Sequence, residues 1–253
     1  MNKKVNKQYI DKILAIANKR YNKSKTEPKT KEESLQLQYP HLFVLGCVMD
    51  SGIDYERAWK IPEEIAVLLG GYDFSLFLSK DEAWYLDTFN AKKLHRYNEK
   101  MGKAFYSAIQ KIHNYYQDNA ANIWNDNPTS GELICRFLDF DRVGVKIATM
   151  AVNILSRRFD VKLKDKYSID ISPDIHVKRL MYRLGLIDEE KPVKNFSTID
   201  PFKITYAARS INHDFPGLPD LIFWETGQNE TCTNKKCNKE KCPFGAFCIK
   251  QGI

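Results

Sequence analysis

The chain has 253 residues, of which 43% are hydrophobic, enough for one large domain or two modest ones with real cores; this excludes a disordered tail. Its 39 Lys and Arg against 32 Asp and Glu leave a formal charge of +7. That balance favours an anionic partner through counterion release, or simply solvates a basic surface. No segment is long enough to span a bilayer, and Asp11 and Lys12 interrupt the apolar run that a secretion signal would need. A cytoplasmic, reducing setting is expected, in which cysteines read as thiols or metal ligands rather than disulfides.

Val5, Tyr9, Ile10, Ile13, Leu14, Ala17 and Tyr21 recur at helical spacing and predict a helix from about Val5 to Tyr21. Residues 22–34, NKSKTEPKTKEES, are polar and centred on Pro28, and read as a connector. From His41 the pattern is helical almost throughout. HLFVLGCVM is an apolar run, and in IPEEIAVLLGG Pro62 suits a first turn and Gly70 a stop. Ser79 and Glu82 have capping-box spacing, as do Thr129 and Glu132. Between them a long helix is expected over 100–124, with Phe105, Ala108, Ile109, Ile112 and Tyr116 on one face. The one good alternating stretch, VKLKDKYSIDIS at 161–172, reads as an irregular or hairpin-like excursion between helices. The class is mainly α.

Residues 132–138 (ELICRFL) and 145–155 (VKIATMAVNIL) read as two helices joined by Asp139, Phe140, Asp141, Arg142, Val143 and Gly144. Such a helix-hairpin-helix presents backbone N–H groups and the positive end of its second helix to a phosphate, and Gly144 lets that phosphate approach closely. An ordinary αα-turn with a glycine has the same outline. Further on, Ser172 can cap a helix, Pro173 take its first position and Gly185 end it, which puts Asp174 in the first turn. The helix dipole there favours an ionised carboxylate.

FDRVGVKIA, residues 140–148, resembles the hairpin of the helix-hairpin-helix (HhH-GPD) DNA glycosylase superfamily, which includes endonuclease III and 8-oxoguanine glycosylases. PDIHVKRLMYRLGL resembles the superfamily's catalytic-aspartate helix, and the two segments come in the family's order. The resemblance implies that Lys146 is the Schiff-base lysine and Asp174 the catalytic aspartate, with Arg142, Val143, Gly144 and Val145 on the DNA backbone. It also implies a two-lobed helical fold: a central barrel over 35–200, and a discontinuous lobe made of 1–34 and 201–253. The expected activity is base-excision glycosylase with AP lyase on double-stranded DNA carrying a damaged or modified base, by a monomer associated with the nucleoid. The alternatives are a non-catalytic lesion-sensing protein and a zinc-binding nucleic-acid module. Arg142 stands where the family usually has the hairpin's first glycine, and the Lys146 to Asp174 interval is longer than in compact members.

Cys232, Cys237, Cys242 and Cys248 form C-x4-C-x4-C-x5-C in a lysine-rich segment, and four thiols so close point to a shared metal. The segment resembles the [4Fe-4S] loop of endonuclease III, keeping the last interval and the Cys242-Pro243 pair but moving the second cysteine; zinc is the alternative. Lys235, Lys236, Lys239 and Lys241 interleave with the cysteines and could lie on DNA or merely solvate the loop. Cys47 and Cys135 lie in apolar helical segments and read as small packed thiols. By resemblance Met49 falls where the family plugs the gap left by a flipped nucleotide, although a methionine is more often core. His176 reads as a residue that packs or caps locally, with orientation of the active site as the alternative. Trp84, Tyr85, Tyr115, Tyr116 and Trp124 could stack a base, but at helical spacing most must be core.

Overall fold

The computed structural model describes residues 5–189, 192–229, 231–233 and 236–249. Among the described residues are twelve α-helices, two short 3-10 turns and no strand beyond an isolated antiparallel bridge between Cys232 and Cys237. The chain divides into two compact units, 28–164 and a discontinuous one made of 1–27 with 165–253. The boundaries therefore fall at 27/28 and 164/165 instead of 34/35 and 200/201. The segment carrying Asp174 goes to the discontinuous unit, because its helix buries its apolar face in that unit's core.

The discontinuous unit begins with α1 (Lys7–Thr26), capped by the Asn6 side chain and burying Ile13, Ala17 and Tyr21. It runs five residues past the expected Tyr21. The unit resumes after 165 with α10 (Ile175–Arg183), α11 (Pro201–Ile211) and α12 (Asp220–Gln228). Ile13, Val177, Leu180, Met181, Ile204, Ala208 and Phe223 share one core. An Arg20 guanidinium fork on the Glu225 carboxylate, at 2.7 and 2.6 Å, fastens α1 to α12.

The other unit holds α2 (Lys31–Gln38), α3 (Pro40–Met49), α4 (Tyr55–Leu69), α5 (Phe74–Leu78), α6 (Glu82–Lys92), α7 (Asn98–Tyr116), α8 (Ser130–Leu138) and α9 (Val145–Arg158). Every residue of α3 from His41 to Met49 is buried, as expected of a helix apolar on all sides, and α2, α4, α7 and α9 pack around it. The segment expected to be a connector instead contains α2, opened by a capping box of Thr30 and Glu33. Glu33 also meets the buried Arg158 at the end of α9, whose guanidinium donates to the Pro28 carbonyl as well. Burial pushes the Glu33 carboxyl up, but Arg158 and the Thr30 N–H overcome it and hold it below the usual range.

Three local expectations are corrected. Asp54 caps α4, so Pro62 lies within that helix rather than in its first turn. Asp81, not Ser79, caps α6 by accepting from Trp84 N–H at 2.9 Å. α7 stops at Tyr116, where Gln117 turns left-handed (φ 54°), well before Trp124. The capping box of Thr129 and Glu132 opens α8 as expected, and Gly70 ends α4 with φ 83°. Residues 161–172 are irregular throughout.

Candidate nucleic-acid interface and metal loop

The segment between α8 and α9 is anchored from below. Phe140 and Val143 are buried, and Phe140 lies parallel to Tyr116 with ring centroids 6.4 Å apart. Val143 N–H donates to the Phe140 carbonyl at 3.1 Å, closing a tight turn. Between them Arg142 adopts φ 69°, the left-handed region in which a side chain costs roughly 1–2 kcal/mol and glycine nothing. Lys111 donates to the Asp139 carbonyl at the end of α8 and lies 5.7 Å from the Phe140 ring centroid.

Gly144 is the N-cap of α9, in extended conformation and with no side-chain hydrogen bond closing the helix start. A Cβ built at Gly144 would meet nothing within 4 Å, so the space above this terminus is open. Val145 and Lys146 are exposed there. Lys146 is the second residue of the helix, and Thr149 bonds back to the carbonyls of Val145 and Lys146 at 2.8 and 3.1 Å.

Beside the hairpin, in the same unit, stands the loop that follows α3. Met49 is fully buried, so its side chain is core and does not stand ready to enter a base stack. His95, itself buried, accepts the Tyr97 N–H on Nδ1 at 3.0 Å and donates from Nε2 to the Met49 carbonyl at 3.3 Å, an arrangement only the neutral ring can make. Burial holds His95 below its usual pKa; the Met49 and Ser51 carbonyls oppose that, and the Arg57 and Arg142 charges add to it. Asp50, at the C-cap of α3, is half-buried. Burial pushes its carboxyl up, the Lys146 ammonium counters the rise, and Asp54 adds to it.

In the discontinuous unit, Asp174 is the N-cap of α10 and not a first-turn residue: its Oδ1 accepts the Val177 N–H at 2.8 Å. The approach to it is tethered by three contacts. Arg209 grips Asp170 with two bonds of 2.7 and 2.6 Å, Asp220 accepts Ser172 N–H at 2.8 Å, and Gly217 N–H donates to Ile169 at 2.7 Å. His176 packs against Gly227, where a Cβ would come within 2.6 Å of it, and its Nδ1 lies 3.0 Å from Arg179. Of the aromatic candidates, Tyr85 and Trp124 are core, whereas Tyr115 is 75% exposed beside Lys111.

The cysteine loop folds onto α10. Buried Arg183 donates to Cys232 Sγ at 3.0 Å, and Cys248 Sγ donates to the Arg183 carbonyl at 3.3 Å. Burial raises the Cys242 thiol, and Cys232 and Cys237 act on it in the same direction. Phe244, fully buried against Phe223, pins the loop, and Gly245 is required because a Cβ would stand 2.0 Å from the Lys239 carbonyl. Among the described residues no three Cys, His, Asp or Glu side chains stand in metal-holding arrangement. The donor set nonetheless fits a thiolate-bound metal. Cys232 and Cys248 both bond to Arg183 at the end of α10, and the buried guanidiniums of Arg179 and Arg183 supply the positive charge that an anionic metal–thiolate group needs. Lys236, Lys239 and Lys241 are exposed on this loop; Lys235 lies outside the described residues.

The chain matches no protein-family model and no curated protein. Its fold is that of a solved structure titled a trapped endonuclease III–DNA covalent intermediate, an estranged-adenine complex. The likeness covers 97% of each chain with a TM-score of 0.60 at 14% sequence identity. The mainly α, endonuclease III-like architecture is thereby established, and no helix among the described residues is long and apolar enough to cross a membrane.

Proposed function

We propose that the chain is a base-excision DNA glycosylase with an AP lyase step, acting as a monomer on double-stranded DNA that carries a damaged or modified base. One observation carries this reading: an end-to-end likeness to a glycosylase caught covalently on DNA coincides with an exposed lysine at the open start of α9. The first N–H groups of α9, Gly144 and Arg142 bind the DNA backbone without reading sequence. Lys146, freed of its proton, attacks C1′ of the flipped nucleotide; the C1′–N bond breaks and the base leaves with a proton. The nitrogen lone pair then expels O4′, which takes up a proton as the sugar ring opens, to give a protonated imine; this acidifies the neighbouring C2′ hydrogen, and loss of that proton expels the 3′ phosphate by β-elimination. Asp174 stabilises positive charge growing on the sugar or accepts a proton through water. Cys232, Cys237, Cys242 and Cys248 would hold a [4Fe-4S] cluster, whose contribution is to order the loop and its lysines against DNA.

The test is borohydride trapping over a panel of duplexes, each with one lesion. Wild type should yield a covalent adduct on the right lesion, and Lys146→Ala should yield none. Trapping undiminished in Lys146→Ala overturns the nucleophile. Base release without any wild-type adduct means a monofunctional enzyme that uses water and Asp174, and DNA binding without base release means a lesion sensor. Anaerobically prepared protein should contain iron and acid-labile sulfide; zinc alone would overturn the cluster.

A further inference from the structure

The helix that begins at Asp174 ends on a buried cation. Lys178, Arg179 and Arg183 of α10 are all buried. Lys178 has the Ser197 carbonyl and Arg179 the Gly227 carbonyl as acceptors. Arg183, the deepest of the three at 2% exposure, is served differently. Its Nη1 donates to Cys232 Sγ at 3.0 Å, its guanidinium lies 5.7 Å from the Phe196 ring centroid, and its Nε–H meets no acceptor among the described residues. No carboxylate among the described residues pairs with it. A neutral thiol is a weak acceptor, so a buried guanidinium supplied in this way is costly. The cost falls when the sulfur it bonds carries negative charge and further acceptors stand close, the setting that a metal bound through thiolates provides.

The same residue also meets the other end of the cysteine segment. The Arg183 carbonyl lies 3.3 Å from Cys248 Sγ, so the side chain of Arg183 touches the first of the four cysteines and its backbone the last. That backbone is fixed. Leu186 N–H closes the end of α10 on the Met181 carbonyl at 2.9 Å, Gly185 makes the turn with φ 71°, and Leu180, Met181 and Leu184 are buried in the core of the unit. The Phe196 ring, also in that core, fixes the guanidinium from one side. A donor held so rigidly keeps one geometry toward Cys232.

We propose that Arg183 is the positioning residue of the metal loop: its guanidinium holds Cys232 as a ligand, and its N–H···S bond and positive charge set the reduction potential of the group bound by Cys232, Cys237, Cys242 and Cys248. Positive charge and a hydrogen bond at a ligand sulfur both favour the state that carries the extra electron, so both raise the potential.

This inference rests on the cluster reading, and the experiment separates the two. Full-length wild type, Arg183→Lys and Arg183→Met are prepared anaerobically and compared for iron, sulfide and zinc, for midpoint potential by redox titration followed by electron paramagnetic resonance, and for thermal unfolding. The Arg183→Met potential should lie below wild type by a tenfold change in the one-electron equilibrium, about 59 mV. Arg183→Lys keeps the charge but loses the planar fork, and should fall between the two. An Arg183→Met protein with less iron but an unshifted potential overturns the proposal, because a merely structural defect empties the site without altering the molecules that remain loaded. An Arg183→Lys potential identical to wild type overturns it as well, and this comparison decides the matter should Arg183→Met fail to fold. Wild type that holds zinc without iron or sulfide ends the cluster reading by itself, and Arg183 is then judged on the zinc form. Zinc affinity, measured by competition with a chelator, should fall ten- to a hundredfold in Arg183→Met and less in Arg183→Lys; unchanged affinity in both overturns the role of Arg183. Wild type that takes up neither metal overturns both readings.

Discussion

Two helix starts in this molecule are built in opposite ways. α10 is closed by its own N-cap, since the Asp174 carboxylate takes the Val177 N–H and supplies the negative charge that a helix N-terminus favours. α9 has no such partner: Gly144 caps it with backbone alone, and the space where a side chain would stand is empty. Unsatisfied N–H groups at an exposed helix start are tolerable because water takes them, so an open terminus costs little in the free protein and leaves its positive end for an anion. The closed terminus does something different. It fixes one carboxylate oxygen, and with it the orientation of the whole group. The same local physics thus leaves one helix start open to an anion and gives the other a held carboxylate, and Arg142 adopts a left-handed backbone next to the open end.

The largest expected effect comes from making α9 resemble α10. In Gly144→Asp the new carboxylate can cap the helix, and the backbone there is extended and sterically open, so folding should be unchanged or improved by a few tenths of a kcal/mol. The same group occupies the N–H groups offered to phosphate and repels it. DNA affinity should fall roughly ten- to a hundredfold, the worth of one or more charge-assisted hydrogen bonds. Fluorescence anisotropy on an undamaged duplex, with thermal unfolding beside it, reads both quantities. Unaltered affinity in a well-folded Gly144→Asp protein would remove the hairpin from the interface.

The helical class and the hairpin were legible because both are local. Phe140, Val143 and Gly144 stand at fixed short spacing, and Thr129 with Glu132 announces α8. α2 was written just as locally in Thr30 and Glu33, but the polar residues around Pro28 hid it; its Glu33 is stabilised by Arg158, a partner 125 residues away that no window can show. Met49 illustrates the reverse, since its place in the motif pointed outward while the all-apolar run around it already required burial. The cysteine spacing announced shared chemistry, but Arg183, 49 residues from Cys232, became part of that setting only through the fold.

The closed terminus can be taken apart more finely, because its carboxylate has two separable properties. As an N-cap, Asp174 accepts a hydrogen bond, and asparagine does this about equally well; as a catalytic group it carries charge or takes a proton, and asparagine does neither. Asp174→Asn should therefore keep the thermal stability of wild type, since the amide oxygen can accept the Val177 N–H in place of Oδ1. Asp174→Ala should lose about 1 kcal/mol, the usual worth of a cap. Both should slow base release to a similar low level in single-turnover assays on the correct lesion, while both keep DNA affinity, because the proposed phosphate seat lies on α9. If asparagine destabilised the protein as much as alanine, the charge would be holding the helix and the two properties would not be separable. If Asp174→Asn released base at the wild-type rate while Asp174→Ala did not, the carboxylate would serve only to shape the start of α10, and the chemistry would fall to Lys146.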